Sequence, residues 1–230
     1  MFVAGAVVPA VLASLPTPEV VRPAPRLTVV EDALWRTPPR GGAVALGGAV
    51  VVDVALDAEP TGTDLYVVTL TVHDGDGTPV ATYDDAFTVT SASDRHAFLV
   101  YDLVPRVDLA DPDVDLSTWS TTVTGQDGTV ISTARTPEVT LSDASVYRDD
   151  EDVLRFRGTA TVGPVTRPAR PDEDTSIWGT LITRDADDVI NGAALVFVDQ
   201  DAAGGTTELD GPLFTSRTTN PADFVRLELY

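Results

Sequence analysis

The chain contains no cysteine, which excludes a disulfide framework and any metal site built on thiolates. It contains no lysine either: all 15 basic residues are arginine, and they stand against 28 aspartates and 8 glutamates, for a formal net charge of −21. Phosphate contacts require basic patches, so this charge argues against a nucleic acid as partner. Hydrophobic residues still make up 43% of the 230 residues, enough to build packed cores and to exclude a disordered acidic tail.

The kind of charge points to a salty environment. Lysine has a long apolar stem that is costly to expose in concentrated salt, whereas aspartate is short and strongly hydrated. Salt also screens the repulsion within so acidic a chain. The composition resembles that of proteins from extreme halophiles. An acidic protein of a GC-rich mesophile is the alternative, and the absence of lysine over the whole length favours the halophile.

The N-terminal stretch Phe2–Leu15 is apolar and rich in small residues. Fourteen residues are too few to span a bilayer, but they suit the core of an export signal, with a small-x-small cleavage motif at Val11-Leu12-Ala13. No positively charged stretch precedes it, so two interpretations stay open: a truncated export signal, which we favour, or a buried strand. Four prolines follow, at positions 16, 18, 23 and 25. We therefore assign residues 1–25 to an apolar segment and a stiff tether.

Strand signals dominate the rest of the chain, and helical periodicity is hard to find. Glycine- and aspartate-rich turns separate the strand signals. The run Val44–Leu56 is the most apolar after the N-terminus and is interpreted as one or two strands. This spacing predicts an all-β protein made of β-sandwiches. The predicted strands are Leu65–Val72, Ala86–Thr90, Ala97–Tyr101, Thr118–Thr124, Val153–Val162, Ser176–Thr183, Ala194–Val198 and Phe224–Tyr230.

The chain also repeats itself. Thr69-Leu70, followed by Asp74 and Asp76, corresponds to Thr180-Leu181, followed by Asp185 and Asp187, at an offset of 111 residues. Further matches pair Val30–Ala33 with Leu141–Ala144, Phe87 with Phe197 and Leu103 with Leu213, the last two at an offset of 110. The repeat predicts two tandem sandwich domains, residues 26–135 and 136–230, each of ordinary size for a domain that folds alone.

The second copy carries a resemblance in the stretches Ile177–Asp185, Val198–Thr206 and Phe224–Tyr230. Their order, an apolar hairpin strand ending in aspartate, a glycine-rich return and a final aromatic strand, resembles the FxLYD-type immunoglobulin-like domains of prokaryotic surface proteins. His73 and Arg184 stand where that family has an aromatic residue. The resemblance implies an exported, non-catalytic surface module, and it brings no functional residues with it.

The sequence assigns no metal site. Asp74–Thr78 begins like a calcium loop with Asp85 at the twelfth position, but Pro79 stands at position six, where the sharp turn of such a loop requires glycine. A tight hairpin turn is favoured instead. The acidic runs Asp108–Asp115 and Asp149–Asp152 are interpreted as solvated loops that associate weakly with cations.

No catalytic residue and no cofactor are predicted. The serine-hydrolase, zinc-protease and phosphate-loop motifs are absent, and Asp174-Thr175-Ser176 lacks the glycine of the aspartic-protease triplet. The two histidines, His73 and His96, both lie in the first copy and are interpreted as solvent-facing strand residues. The chain is therefore predicted not to be an enzyme.

The three tryptophans, Trp35, Trp119 and Trp178, fall in predicted strands. Each is interpreted as the large core residue of its sandwich, and a platform on which sugars stack is the alternative.

Three functional classes remain. The favoured one is an exported structural or adhesive module of a halophile, located outside the cell or on its surface, that binds a protein or cell-surface partner and forms a homo-oligomer. The second is a capsid or spike protein in the virion of a virus infecting a halophile. The third is a secreted module that binds carbohydrate or ions.

Overall fold

The structure, a computed structural model, describes residues 21–40, 43–102, 109, 111, 113–132, 136–164, 176–199, 204–215 and 220–230. Most of them lie in strands, and two short 3-10 helices, Leu116–Thr118 and Pro221–Asp223, precede the closing strands of each half. In this part of the chain no helix is long and apolar enough to cross a membrane. The strands are β1 (Val21–Arg22), β2 (Arg26–Arg40), β3 (Ala43–Ala55), β4 (Thr63–His73), β5 (Pro79–Val89), β6 (Ser93–Asp102), β7 (Ser120–Gly125), β8 (Gly128–Ser132), β9 (Val139–Arg148), β10 (Leu154–Val162), β11 (Ser176–Arg184), β12 (Ile190–Asp199), β13 (Thr206–Pro212), β14 (Phe214–Thr215) and β15 (Arg226–Leu229).

The strands form four antiparallel sheets. In the first half, β2-β3-β6 lies against β1-β8-β4-β5, in which β7 also pairs with β4. In the second half, β9-β10-β13 lies against β14-β12-β11-β15. Each half thus packs a three-stranded sheet on a larger one, and each pair of sheets encloses a hydrophobic core. This architecture confirms the predicted all-β sandwich class.

The period of two along the strands builds these cores. In β4, Tyr66, Val68, Leu70 and Val72 are buried in the first core, while the residues between them are half-buried. In β10, Leu154, Phe156, Ala160 and Val162 face the second core in the same way, and the two arginines between them point outward. Successive side chains on one strand point to opposite faces of the sheet, so one face of each of these strands is excluded from solvent.

The apolar run Val44–Leu56 lies almost entirely in one strand, β3, and both faces of this strand are covered from Ala45 to Val52. Val50, Val52 and Val54 point into the first core. Ala49 and Val51 point the other way and are equally buried, in a third hydrophobic cluster. A strand that is covered on both faces has a continuous apolar sequence, which explains why Ala45–Val52 has no polar alternation, whereas Asp53 stands where the strand is exposed again.

This third cluster lies between the two halves, and we call it the interface cluster. Trp35, Ala49, Val51 and Ala97 come from the outer face of β2-β3-β6, and Ile182, Ile190 and Ala193 come from the outer face of β11 and β12. The four sheets are therefore stacked, with the two central ones packed against each other. Each half has a core of its own, and its independent folding stays a prediction.

The registers of the β4–β5 hairpin and the β11–β12 hairpin correspond at a constant offset of 111 residues. Val67 pairs with Ala86 across β4 and β5, and Trp178 pairs with Phe197 across β11 and β12. At this offset the counterpart of Phe87 is Val198, and both are buried in their cores. The match of Phe87 with Phe197 at an offset of 110 is therefore wrong, because those side chains lie on opposite faces. Leu103 is outside the described residues.

Residues 21–25 belong to the first sandwich rather than to a free tether. Val21 and Arg22 pair with Thr129 and Gly128 of β8, and Pro25 is buried. The Arg22 guanidinium lies 3.2 Å from the carboxylate of Asp64, which is almost fully buried. The segment adds a short strand and an ion pair to the sheet. The apolar stretch Phe2–Leu15 lies outside the described residues.

Candidate functional site

Three hairpin turns share one aspartate-capped geometry. In the first, Oδ1 of Asp74 accepts hydrogen bonds from the backbone N–H groups of Asp76 and Thr78, at 3.0 and 2.8 Å. Asp149 and Asp185 cap the turns at 149–153 and 185–189 in the same way. The loop with a calcium-like beginning is thus a hairpin turn, as favoured from its sequence, and its first carboxylate is used by backbone donors.

The fourth residue of each turn has a positive φ angle. Gly77 has φ = 80°, and Asp152 and Asp188 take its place in the other two turns with φ = 60° and 67°. Glycine adopts this conformation without strain, whereas aspartate adopts it at a cost.

Among the described residues, no group of three or more histidine, aspartate or glutamate side chains could hold a metal ion. A shallow depression of about 360 Å³ lies beside the third turn, lined by Asp185, Asp187, Asn191, Asp223 and three apolar residues. Residues 108, 110 and 112 of the acidic run Asp108–Asp115, and residues 174 and 175, lie outside the described part of the chain. The weak association with cations stays a prediction.

The two histidines have different surroundings. Nε2 of His73 lies 2.9 Å from the Thr122 hydroxyl at the surface. His96, by contrast, packs its ring 4.8 Å from that of Phe87 at the margin of the first core. Its Nε2 lies 3.5 Å from Oδ2 of Asp94, and this contact holds the pKa of the Asp94 carboxyl below its ordinary value. The expectation that both histidines face solvent is therefore wrong for His96, whose side chain is 18% exposed.

The three tryptophans do not share one role. Trp35 is buried, but in the interface cluster rather than in a sandwich core. Trp119 is half-buried and packs against the first core from the end of a 3-10 helix. Trp178 is 51% exposed, so the prediction that it is a core residue is wrong.

Trp178 forms an exposed aromatic patch with two residues of β12. Its ring centre lies 4.5 Å from that of Phe197, edge to face at 69°, and Phe197 and Leu195 are 53% and 45% exposed. In β11, Ile177 and Leu181 face the second core, so Trp178 lies on the outer face of the sheet. We call Trp178, Leu195 and Phe197 the aromatic patch.

The patch continues the face that carries the interface cluster. Along this face the cross-strand pairs are Trp178 with Phe197, Thr180 with Leu195, and Ile182 with Ala193. Ile182 and Ala193 are fully buried under the first half. The first half thus covers one end of the face, and the aromatic patch is the end that it leaves exposed.

The first half provides an internal comparison for these positions. At the offset of 111, Val67 stands in place of Trp178, Asp84 in place of Leu195 and Ala86 in place of Phe197. Asp84 is exposed, and its Oδ1 accepts a hydrogen bond from Thr69 at 2.7 Å. The same strand geometry is therefore built with small or polar residues there, and folding of the hairpin does not require an aromatic patch.

Arg184 links the two halves beside the interface cluster. Its side chain is 7% exposed, and its guanidinium lies 2.7 Å from Oε1 of Glu31 in the first half and 2.9 Å from Oε2 of Glu228 in the second. It also donates a 2.9 Å hydrogen bond to the carbonyl of Asp188, and Tyr230 donates a bond to Glu228. The pKa of Arg184 is raised, chiefly by the hydrogen bond to Glu31.

Glu228 takes part in the same cluster with the opposite sign. Burial by itself raises the pKa of this carboxyl, but the hydrogen bonds from Arg184 and Tyr230 outweigh burial and hold the pKa below its ordinary value. The charges of Arg184 and Arg226 act in the same direction. These ion pairs therefore join the two halves, and the cluster is structural rather than reactive.

Sequence reasoning missed both the exposure of Trp178 and the role of Arg184. A comparison of the two copies position by position could have found the first, because Trp178 and Leu195 replace Val67 and Asp84. Comparison of the chain with protein-family models and with curated proteins gives no match.

Proposed function

We propose that this chain is a non-enzymatic, exported surface module of a halophile that binds a partner through the aromatic patch. The observation that carries the proposal is the exposure of Trp178, Phe197 and Leu195 side by side on the outer face of β11 and β12. Contiguous exposed apolar residues on a soluble protein mark interaction sites, whereas single ones are ordinary.

The contrast between the halves supports a binding role for the patch. On the equivalent solvent-facing surface, the first half has Val67, Asp84 and Ala86 at the corresponding positions. Large aromatic residues in the second half therefore add exposed apolar surface that the fold does not need. Aromatic residues are also the type most enriched at the centres of protein interfaces.

The net negative charge of the chain supports a high-salt environment. With a net charge of −21 and arginine as the only basic residue besides two histidines, the chain repels itself unless salt screens it. The apolar stretch Phe2–Leu15 supports export, and the resemblance to prokaryotic surface modules agrees with it.

Export is tested by expressing the chain with its own N-terminus in a halophilic host and separating culture medium, cell envelope and cytosol. We expect the protein in the medium or envelope, with an intact mass that lacks residues 1–13. Protein that stays in the cytosol and keeps Met1 contradicts export.

The binding role is tested with purified protein and isolated envelopes of the same host in 2 M KCl. The fraction of the protein that sediments with the envelopes is measured. The variant Trp178→Val/Phe197→Ala carries the residues of the first half at these two positions, and most of this bound fraction is expected to be lost. Val67→Ala, on the equivalent face of the first half, serves as the matched control and is expected to bind like the wild type. Equal binding by all three proteins contradicts the proposed role of the patch.

The exposed Trp178 also supports a second candidate, a carbohydrate-binding module, because sugars stack on exposed tryptophan rings. A glycan array probed in molar salt distinguishes the two candidates. Binding that Trp178→Val abolishes favours the carbohydrate, and an array without signal favours a protein partner.

A further inference from the structure

We propose that the partner of the aromatic patch is a second copy of this chain, which pairs with it along the open edge of β12. This inference rests on the proposed function of the patch, and it names the occupant. It follows from the strand pairing, the side-chain pattern and the charge of that edge, taken together.

Among the described strands, β12 is paired over only a short part of the edge that faces away from β11. On the side away from β11, β14 pairs only with Gly192 and Ala193. From Ala194 to Val198 no other strand among the described residues pairs with that side of β12. Unpaired backbone N–H and C=O groups on an edge strand form a template for another strand.

This edge lacks the protection that the first half has. The corresponding edge strand β5 carries Asp84 and Asp85 in its middle. The sequence of β12 from Ile190 to Val198, INGAALVFV, has no charged residue at all. Charged residues in an edge strand discourage pairing with another chain, because a second copy would place like charges opposite one another. β5 is protected in this way and β12 is not.

A two-fold axis at Val196 makes the edge self-complementary. In an antiparallel pair of two β12 strands centred on Val196, Leu195 of one copy lies opposite Phe197 of the other, and the reverse pair forms at the same time. Both residues are on the outer face, so the two aromatic patches merge. Ala194, Val196 and Val198 stay in the core of their own copy.

Salt controls this association. Each copy carries a net charge of −21, and at 0.01 M ionic strength these charges repel over a Debye length of about 30 Å. At 1 M the length falls to about 3 Å, so only charges at the contact itself matter. β12 brings no charge to that contact between Ile190 and Val198, and salt also strengthens the burial of apolar surface when its ions are excluded from the protein. The dimer is therefore a high-salt species.

The test is the mass of the full chain in solution, measured by light scattering and sedimentation in 2 M KCl from about 1 to 100 µM. We expect a concentration-dependent rise from the 24.3 kDa monomer to twice that mass. Leu195→Asp, which places the residue of Asp84 on this edge, is expected to remain a monomer at 100 µM. Phe197→Ala is expected to weaken the dimer at least tenfold.

Two controls keep the test sharp. Thr82→Asp adds the same charge to the exposed outer face of β5 and is expected to dimerise like the wild type. Circular dichroism and the thermal midpoint show whether each variant is folded. If Leu195→Asp does not fold, Phe197→Ala decides whether the patch mediates the dimer. A wild type that stays a monomer overturns the second copy as partner, and so does a dimer that neither variant weakens.

The register is tested separately with cysteines, which the natural chain lacks. Leu195→Cys mixed with Phe197→Cys should form a disulfide-linked dimer under oxidation, whereas neither variant should cross-link with itself, because its own cysteines are too far apart. Cross-linking of either variant alone overturns the register centred on Val196. Envelope binding by a wild type that is monomeric would leave the proposed function standing and this inference refuted.

Discussion

Arg184 is expected to hold the two halves together, and its removal is the most direct test of the interface. The variant Arg184→Ala removes the guanidinium from Glu31 and Glu228, whose side chains are 33% and 30% exposed. Glu228 keeps a second guanidinium, that of Arg226, at 3.0 Å, whereas Glu31 loses its ion pair. Removing one partner of a fully buried ion pair costs about 3–5 kcal/mol. Because both carboxylates are about one-third exposed here, water replaces part of the lost contact, and we expect a loss of about 2–3 kcal/mol.

The assay is thermal and urea unfolding in 2 M KCl, followed by circular dichroism. For a chain of this length the expected loss lowers the midpoint by about 4–12 °C. Since the ion pair joins the halves, we also expect the transition to broaden or to split into two. A double-mutant cycle with Glu31→Gln isolates the coupling between Arg184 and Glu31, which we expect to be about 1–2 kcal/mol.

The matched control is Arg155→Ala. Arg155 binds Asp210 on the outer face of β10 and β13, entirely within the second half and more exposed. A surface pair of this kind is worth about 0–1 kcal/mol, and its loss should leave the coupling between the halves unchanged. If Arg184→Ala costs no more than Arg155→Ala, the inter-half pair does not stabilise the protein and our reasoning about the interface is wrong.

Four further outcomes are expected. Asp152→Gly should stabilise the chain by about 1 kcal/mol and Gly77→Asp should destabilise it by a similar amount, because both positions require a positive φ angle. The variant Asp152→Asn is the control that removes the charge of Asp152 without placing glycine there. A thermal midpoint of Gly77→Asp equal to that of the wild type would contradict the conformational explanation. The thermal midpoint should rise steeply between 0.05 and 2 M KCl, and a flat midpoint would refute the halophilic interpretation. Folding lowers the pKa of Glu228, so this carboxylate stabilises the protein above its unfolded pKa, and the stabilisation disappears as the pH falls through the folded pKa. The variant Glu228→Gln should therefore lose less stability on acidification than the wild type, as measured by thermal midpoints across the acid range. Residues 21–135 and 136–230, expressed separately in 2 M KCl, should each unfold cooperatively, and an unfolded half would show that the interface cluster belongs to one shared core.

Local features of the sequence determined the strands and turns of this protein. The alternation in Leu65–Val72 and Val153–Val162 predicts β4 and β10, because it reports which side chains face a core. The sequence predicted the hairpin turn at Asp74–Thr78, where a short carboxylate next to the chain accepts backbone N–H groups, and the structure shows the same capping at Asp149 and Asp185. The offset of 111 residues was also readable, since it depends only on the order of residues along the chain.

Only the tertiary structure decided which outward faces are covered. The alternation of β11 places Trp178 and Ile182 on the same face, yet Ile182 is fully buried and Trp178 is half exposed. That difference depends on where the sheet of the first half ends over β11 and β12, and no local pattern encodes it. The partnership of Arg184 with Glu31 is of the same kind, because the two residues are 153 positions apart and meet only when the halves pack. Periodicity reports the two faces of a strand, whereas the packing of sheets determines how far along each face solvent is excluded.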